Sequence, residues 1–98
     1  MLFMCQGKPR SNLSPDDRRK ALKLFGSWQP PAGMTIKGHY IAAGGGDFVI
    51  VETDSAETLI EATGTWSPFV DYQVTPIAEA QAGVGMLARA DETRTKLL

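Results

Sequence analysis

Apolar and polar positions divide the chain into blocks whose period changes several times. Residues 1–6, MLFMCQ, carry apolar side chains without alternation, which predicts a strand covered on both faces in the middle of a sheet. Gly7 and Pro9 end it. In NLSPDD, Ser14 suits a helix N-cap, Pro15 suits the first helical position, and Asp16 and Asp17 complement the positive end of the helix dipole. Ala21, Leu22, Leu24, Phe25 and Trp28 then recur at helical spacing as one apolar face, with Arg18, Arg19, Lys20 and Lys23 on the wet side. WQPPAG stops the helix, because Pro30 and Pro31 disfavour it and Gly33 supports a turn.

A strand follows from about Met34 to Ala42, then a glycine hairpin, then the nearly continuous apolar strand DFVIVET over residues 47–53. Asp54 or Ser55 caps a second helix, whose inward stripe is Ala56, Leu59, Ile60 and Thr63, and Gly64 weakens its end. In FVDYQVTPI the alternation sets Val70, Tyr72 and Val74 on one face of a fourth strand and Asp71 and Gln73 on the other. Pro76 fits a strand end or edge. Beyond it, IAEAQAGVGMLARA predicts a weak helix interrupted by Gly83 and Gly85, and DETRTKLL a frayed tail.

The order strand, helix, strand, strand, helix, strand predicts an α+β domain of ferredoxin-like βαββαβ type, a four-stranded antiparallel sheet with two helices on one face. One domain is expected over residues 1–98, with its core in about 1–77 and a C-terminal helix and tail in 78–98. Helices on a single face leave the other open, and an apolar open face predicts a homodimer joined sheet to sheet.

Composition narrows the function. Ten Lys plus Arg balance eleven Asp plus Glu, so no strong field recruits nucleic acid or an anionic membrane. The N-terminal apolar run is too short for a membrane span and lacks the basic start and cleavage site of a signal peptide, so a soluble, unprocessed chain is expected. The single cysteine, Cys5, excludes an intrachain disulfide and reads as a buried thiol in a reducing compartment, the cytoplasm.

Candidate chemistry centres on the hairpin IKGHYIAAGGGDFVIVE, which holds the only histidine. A turn centred on Gly44 and Gly45 sets Lys37 opposite Glu52 and His39 opposite Ile50. One face then carries Lys37, His39, Ile41, Phe48, Ile50 and Glu52. The more apolar set, Ile36, Gly38, Tyr40, Ala42, Val49 and Val51, is expected under the helices. On the open face His39 and Glu52 become diagonal neighbours, an imidazole beside a carboxylate that can orient it as a general acid or base. The competing reading is a Lys37–Glu52 ion pair with His39 filling space at a subunit interface.

A Cys5–His39 nucleophile pair fails on strand order, which separates the two by about 9–10 Å. Tetrahedral zinc ligands are too few and no spacing supports a carboxylate-rich divalent site, and no metal or cofactor is expected. GGGD lacks the Lys and Ser or Thr of a phosphate loop and joins two strands rather than opening a helix. Trp28, Tyr40, Trp66, Phe69 and Tyr72 are candidates to line a pocket for an apolar or aromatic ligand, the competing reading being plain core, and Asp71, directed opposite to Tyr72, is the acid that can join His39 on the open face.

WQPPAG, GGGDFVIVETD and SPFVDYQVTPI together resemble the uncharacterised domain-of-unknown-function family 3303 of small bacterial proteins, over nearly the whole chain. The resemblance rests on Trp28, Pro30 and Pro31, on Gly44 to Glu52, and on Phe69 to Pro76. It implies a ferredoxin-like domain similar to the dimeric α/β-barrel proteins, in which two sheets face each other, and no established reaction. That superfamily holds monooxygenases, isomerases, haem-handling enzymes and plain binding proteins, and His39 beside Glu52 does not specify a haem ligand. The expected role is a homodimeric module binding a small apolar ligand or a partner through its sheet face and the cleft beside it. The alternative is a cofactor-free isomerase or monooxygenase, with His39 as acid or base, Glu52 orienting it, and Tyr40, Trp28 and Trp66 shaping the substrate.

Overall fold

A computed structural model describes all residues, 1–98. It contains strand β1 (Leu2–Pro9), helix α1 (Pro15–Ser27), strands β2 (Thr35–Ile41) and β3 (Asp47–Glu52), helix α2 (Ala56–Trp66), strand β4 (Val70–Ile77) and helix α3 (Ala80–Leu97). The strands form one sheet in the order β2-β3-β1-β4, every pair antiparallel. This is the α+β, ferredoxin-like order expected from the sequence, with the apolar β1 and β3 at its centre.

The helix starts are those the local sequence calls for. Ser14 Oγ accepts from the Asp17 amide at 3.0 Å and Asp17 Oδ2 accepts from the Ser14 amide at 3.1 Å, a reciprocal capping box with Pro15 just inside it. These bonds hold the Asp17 carboxyl below its ordinary pKa. Of the two cap candidates for α2, Ser55 takes the role, accepting from the Thr58 amide at 3.1 Å. Asp54 instead binds the Met1 ammonium at 2.9 Å.

The C-terminal segment differs from expectation. Gly83 and Gly85 do not interrupt it, and DETRTK is helical rather than frayed, giving one 18-residue helix with none of its residues buried. Good helix formers around the two glycines, together with Arg94 and Lys96 at the negative end of the dipole, outweigh the glycine cost of about 1 kcal/mol each.

The hairpin register also differs, in two steps. Ala42 donates to Gly46 at 2.9 Å, so three residues rather than two span the turn, and Gly44, Gly45 and Gly46 all adopt positive φ, +85° to +106°. His39 therefore stands opposite Val49, not Ile50. A bulge at Lys37 then moves the pairing again, so that Thr35 faces Glu52 and Ile36 faces Val51.

His39 accordingly belongs to the helix-facing side of the sheet, in one row with Val49, Cys5 and Val74, and Ile41 shares the next row with Asp47, Gly7 and Tyr72. Tyr40 and Gly38, expected under the helices, lie on the open side with Phe48 and Ile50.

The core is small. Cys5, Val49, Val51 and Leu59 form it, with Phe3, Met34, Ile36 and Tyr72 packed against them. Helix α2 contributes Leu59 and Ala62, but α1 buries none of its residues, and its Leu22 and Phe25 remain more than half exposed. Instead of closing the core, α1 roofs a cavity.

Candidate functional site

The cavity between the two helices and the sheet has a volume of about 730 Å³ and mostly apolar walls. Met34, Ile36, Val49 and Val51 supply its floor, Leu59, Ala62 and Trp66 its α2 wall, and Ala21, Leu22, Phe25 and Trp28 the side of α1 and the residue after it. Edge-to-face aromatic packing joins the two walls. Trp28 and Trp66 have ring centroids 5.8 Å apart, and Phe25 and Trp66 are 6.4 Å apart. Phe25 also meets the His39 imidazole edge to face at 5.7 Å.

A polar cluster sits in this apolar space. His39 Nε2 lies 2.8 Å from Asp47 Oδ2, and the Tyr72 hydroxyl donates to the same oxygen at 3.3 Å. The His39 and Asp47 side chains keep only 29% and 13% of their exposure. With a carboxylate as its partner, the Nε2 position carries a proton, and in the neutral imidazole Nδ1 is then an acceptor.

Gly7 makes the cluster possible. It lies on β1 between Asp47 on β3 and Tyr72 on β4, and Tyr72 reaches Asp47 across it. A Cβ at Gly7 would overlap Asp47 Oδ1 and approach Tyr72 Cε1 and Val70 Cγ1 to 2.8 Å. Burial, and then the negative charge of Asp47, push the Tyr72 hydroxyl well above its ordinary pKa. The same two causes, in the same order, raise the Cys5 thiol, so Cys5 stays protonated and is a poor nucleophile.

The candidates from sequence divide. His39, Trp28 and Trp66 line the cavity. Glu52 does not meet His39: it pairs with Lys37 at 3.6 Å on the open face, both side chains half exposed. Tyr40 is 65% exposed on that face, its ring over Gly38. Asp71 pairs with Arg10 Nη2 at 2.9 Å, away from His39. Cys5 and His39 share the cavity, yet β3 separates their strands and no hydrogen bond joins them.

Three members of the cluster were not singled out from sequence: Asp47, Tyr72 in its hydrogen-bonding role, and Gly7. A signal for Asp47 existed, since it is in phase with the inward-facing Val49 and Val51. An acid on the apolar side of a central strand calls for a buried partner.

No three His, Cys, Asp or Glu side chains converge on a point that could hold a metal ion. No helix is long and apolar enough to cross a membrane. The family model "Domain of unknown function (DUF3303)" matches residues 1–91. No curated protein and no solved structure matches the chain.

Proposed function

The chain belongs to the DUF3303 family, and we propose that it binds a small, mostly apolar organic molecule in the cavity between helices and sheet, with the molecule's polar end at His39, Asp47 and Tyr72. The observation that carries this is an apolar cavity of about 730 Å³ with one polar cluster inside it, the usual composition of a small-molecule site. On this reading the site lies on the helix side of the sheet rather than on the open face. The open side, with Tyr40, Phe48 and Ile50, supports pairing with a second copy of the chain. The buried free thiol of Cys5 supports a cytoplasmic location.

A fluorescence and thermal-shift screen of small aromatic compounds tests the binding reading. A ligand at a hundred times its Kd stabilises by about 2.7 kcal/mol, a rise in Tm on the order of 10 °C or more for a chain of this size. The rise is expected to shrink in Trp28→Ala. Absence of any shift across the screen, or an undiminished shift in that variant, overturns the reading. For the dimer, light scattering at micromolar concentration suffices, and a monomer there overturns it.

The hydrogen bond between His39 and Asp47 favours a second reading, that the bound molecule is also a substrate. His39 then exchanges a proton with it, and Asp47 holds the orienting place that Glu52 was expected to fill. Turnover that is lost in His39→Gln while binding persists would separate this reading from simple binding.

A further inference from the structure

The hydrogen-bonding valences of the cluster restrict what can sit beside it. Asp47 Oδ2 receives both available protons, one from His39 Nε2 and one from the Tyr72 hydroxyl. What remains is Asp47 Oδ1, the lone pairs of the Tyr72 oxygen and, in the neutral imidazole, His39 Nδ1, all of them acceptors. No buried side-chain polar atom is left without a partner. Asp47 Oδ1 has none in the protein, so it is reached by solvent from the cavity.

The charge of the lining gives a second restriction. Its ionisable side chains are Cys5, Arg18, His39, Asp47 and Tyr72. Cys5 and Tyr72 are held neutral by burial and by Asp47, so the Asp47 carboxylate is the one acidic side chain of the lining that carries charge. Arg18, the only Arg or Lys on the lining, forms no ion pair and is exposed on α1. An anionic head group at the cluster would face the Asp47 carboxylate with little water between them. A neutral donor would meet three acceptors.

The aromatic residues adjoin the cluster directly, since Phe25 stacks edge to face on His39 and continues to Trp66 and Trp28. We propose that the occupant is a neutral aromatic alcohol of the phenol class, its ring against Phe25, Trp28 and Trp66 and its hydroxyl donating its one proton to His39 Nδ1. This rests on the cavity being a binding site, and it names the ligand class that the site selects.

Four probes sharing one ring system test it by titration calorimetry on the intact protein: 2-naphthol, 2-methoxynaphthalene, 2-naphthoate and 2-naphthylmethylamine. The hydroxyl is expected to improve affinity about five- to tenfold over the methyl ether, the size of one net hydrogen bond. The carboxylate is expected to bind more weakly than both. In His39→Ala the naphthol advantage falls toward unity while the ether keeps its affinity, and if that variant does not fold, the wild-type ratio decides alone. Equal affinity of naphthol and ether overturns the phenol assignment and leaves the cavity reading standing. Tightest binding of the amine or the carboxylate overturns it in favour of charge pairing, and no binding by any probe overturns both readings.

Discussion

Gly7→Ala measures how tightly the cluster is built. The new methyl group overlaps Asp47 Oδ1 and comes within 2.8 Å of Tyr72 Cε1 and Val70 Cγ1, all side-chain atoms on flanking strands. Asp47 has to swing away, which breaks its bonds to His39 and Tyr72 together. Each bond to this partly solvated carboxylate contributes about 1 kcal/mol. Crowding a filled site adds about 1–3 kcal/mol, and the lower chain entropy of Ala in a strand returns about 0.5–1 kcal/mol. The net loss is about 2–4.5 kcal/mol, on the order of 10–30 °C in Tm for a domain of this length. Urea unfolding followed by Trp28 and Trp66 fluorescence reads it as a lower midpoint at unchanged slope. In an Asp47→Ala background the same substitution is expected to cost at least about 1 kcal/mol less, because the overlapped oxygen is gone. A loss below about 0.5 kcal/mol, or strict additivity in that cycle, would refute the claim that Gly7 is small because Asp47 and Tyr72 meet above it.

Alkaline pH is expected to destabilise the fold. The native state holds protons on Tyr72 and Cys5 that the unfolded chain releases near pH 10 and about pH 8.5, so stability is complete below those values and falls as pH rises beyond them. Tyr40→Phe leaves Tyr72 as the lone tyrosine, and its ultraviolet titration in the folded protein should begin well above pH 10; ionisation at about pH 10 would contradict the burial argument. Deleting Lys37 removes the bulge and joins Ile36 to Gly38 in regular alternation, with His39 still facing the helices. The expected cost is about 1 kcal/mol or less, the value of the exposed pair with Glu52, and a loss above about 3 kcal/mol by urea unfolding would show the bulge to be structurally required.

What could be read from the sequence and what could not divides by the range of the interaction. Ser14, Pro15 and Asp17 specify the start of α1 within four residues, so local pattern suffices, and the strand order follows from the alternation of elements. The site depends on long-range pairing. His39 and Asp47 meet because a three-residue turn shifts the register by one, while the bulge at Lys37 returns Ile36 to the helix-facing side. In a sheet with period two, one such shift exchanges the faces of every residue beyond it.

The expected pairing with Glu52 therefore failed through the turn, and the His39 imidazole meets another carboxylate, that of Asp47. Sequence spacing is blind to the approach of Tyr72 over Gly7, because Gly7 and Tyr72 are joined only by the β1–β4 ladder. A glycine inside a central strand was nonetheless visible, and it usually marks the close approach of another group. The β1–β3 and β1–β4 registers then set Asp47 and Tyr72 on either side of Gly7, and their side chains fill the space it leaves.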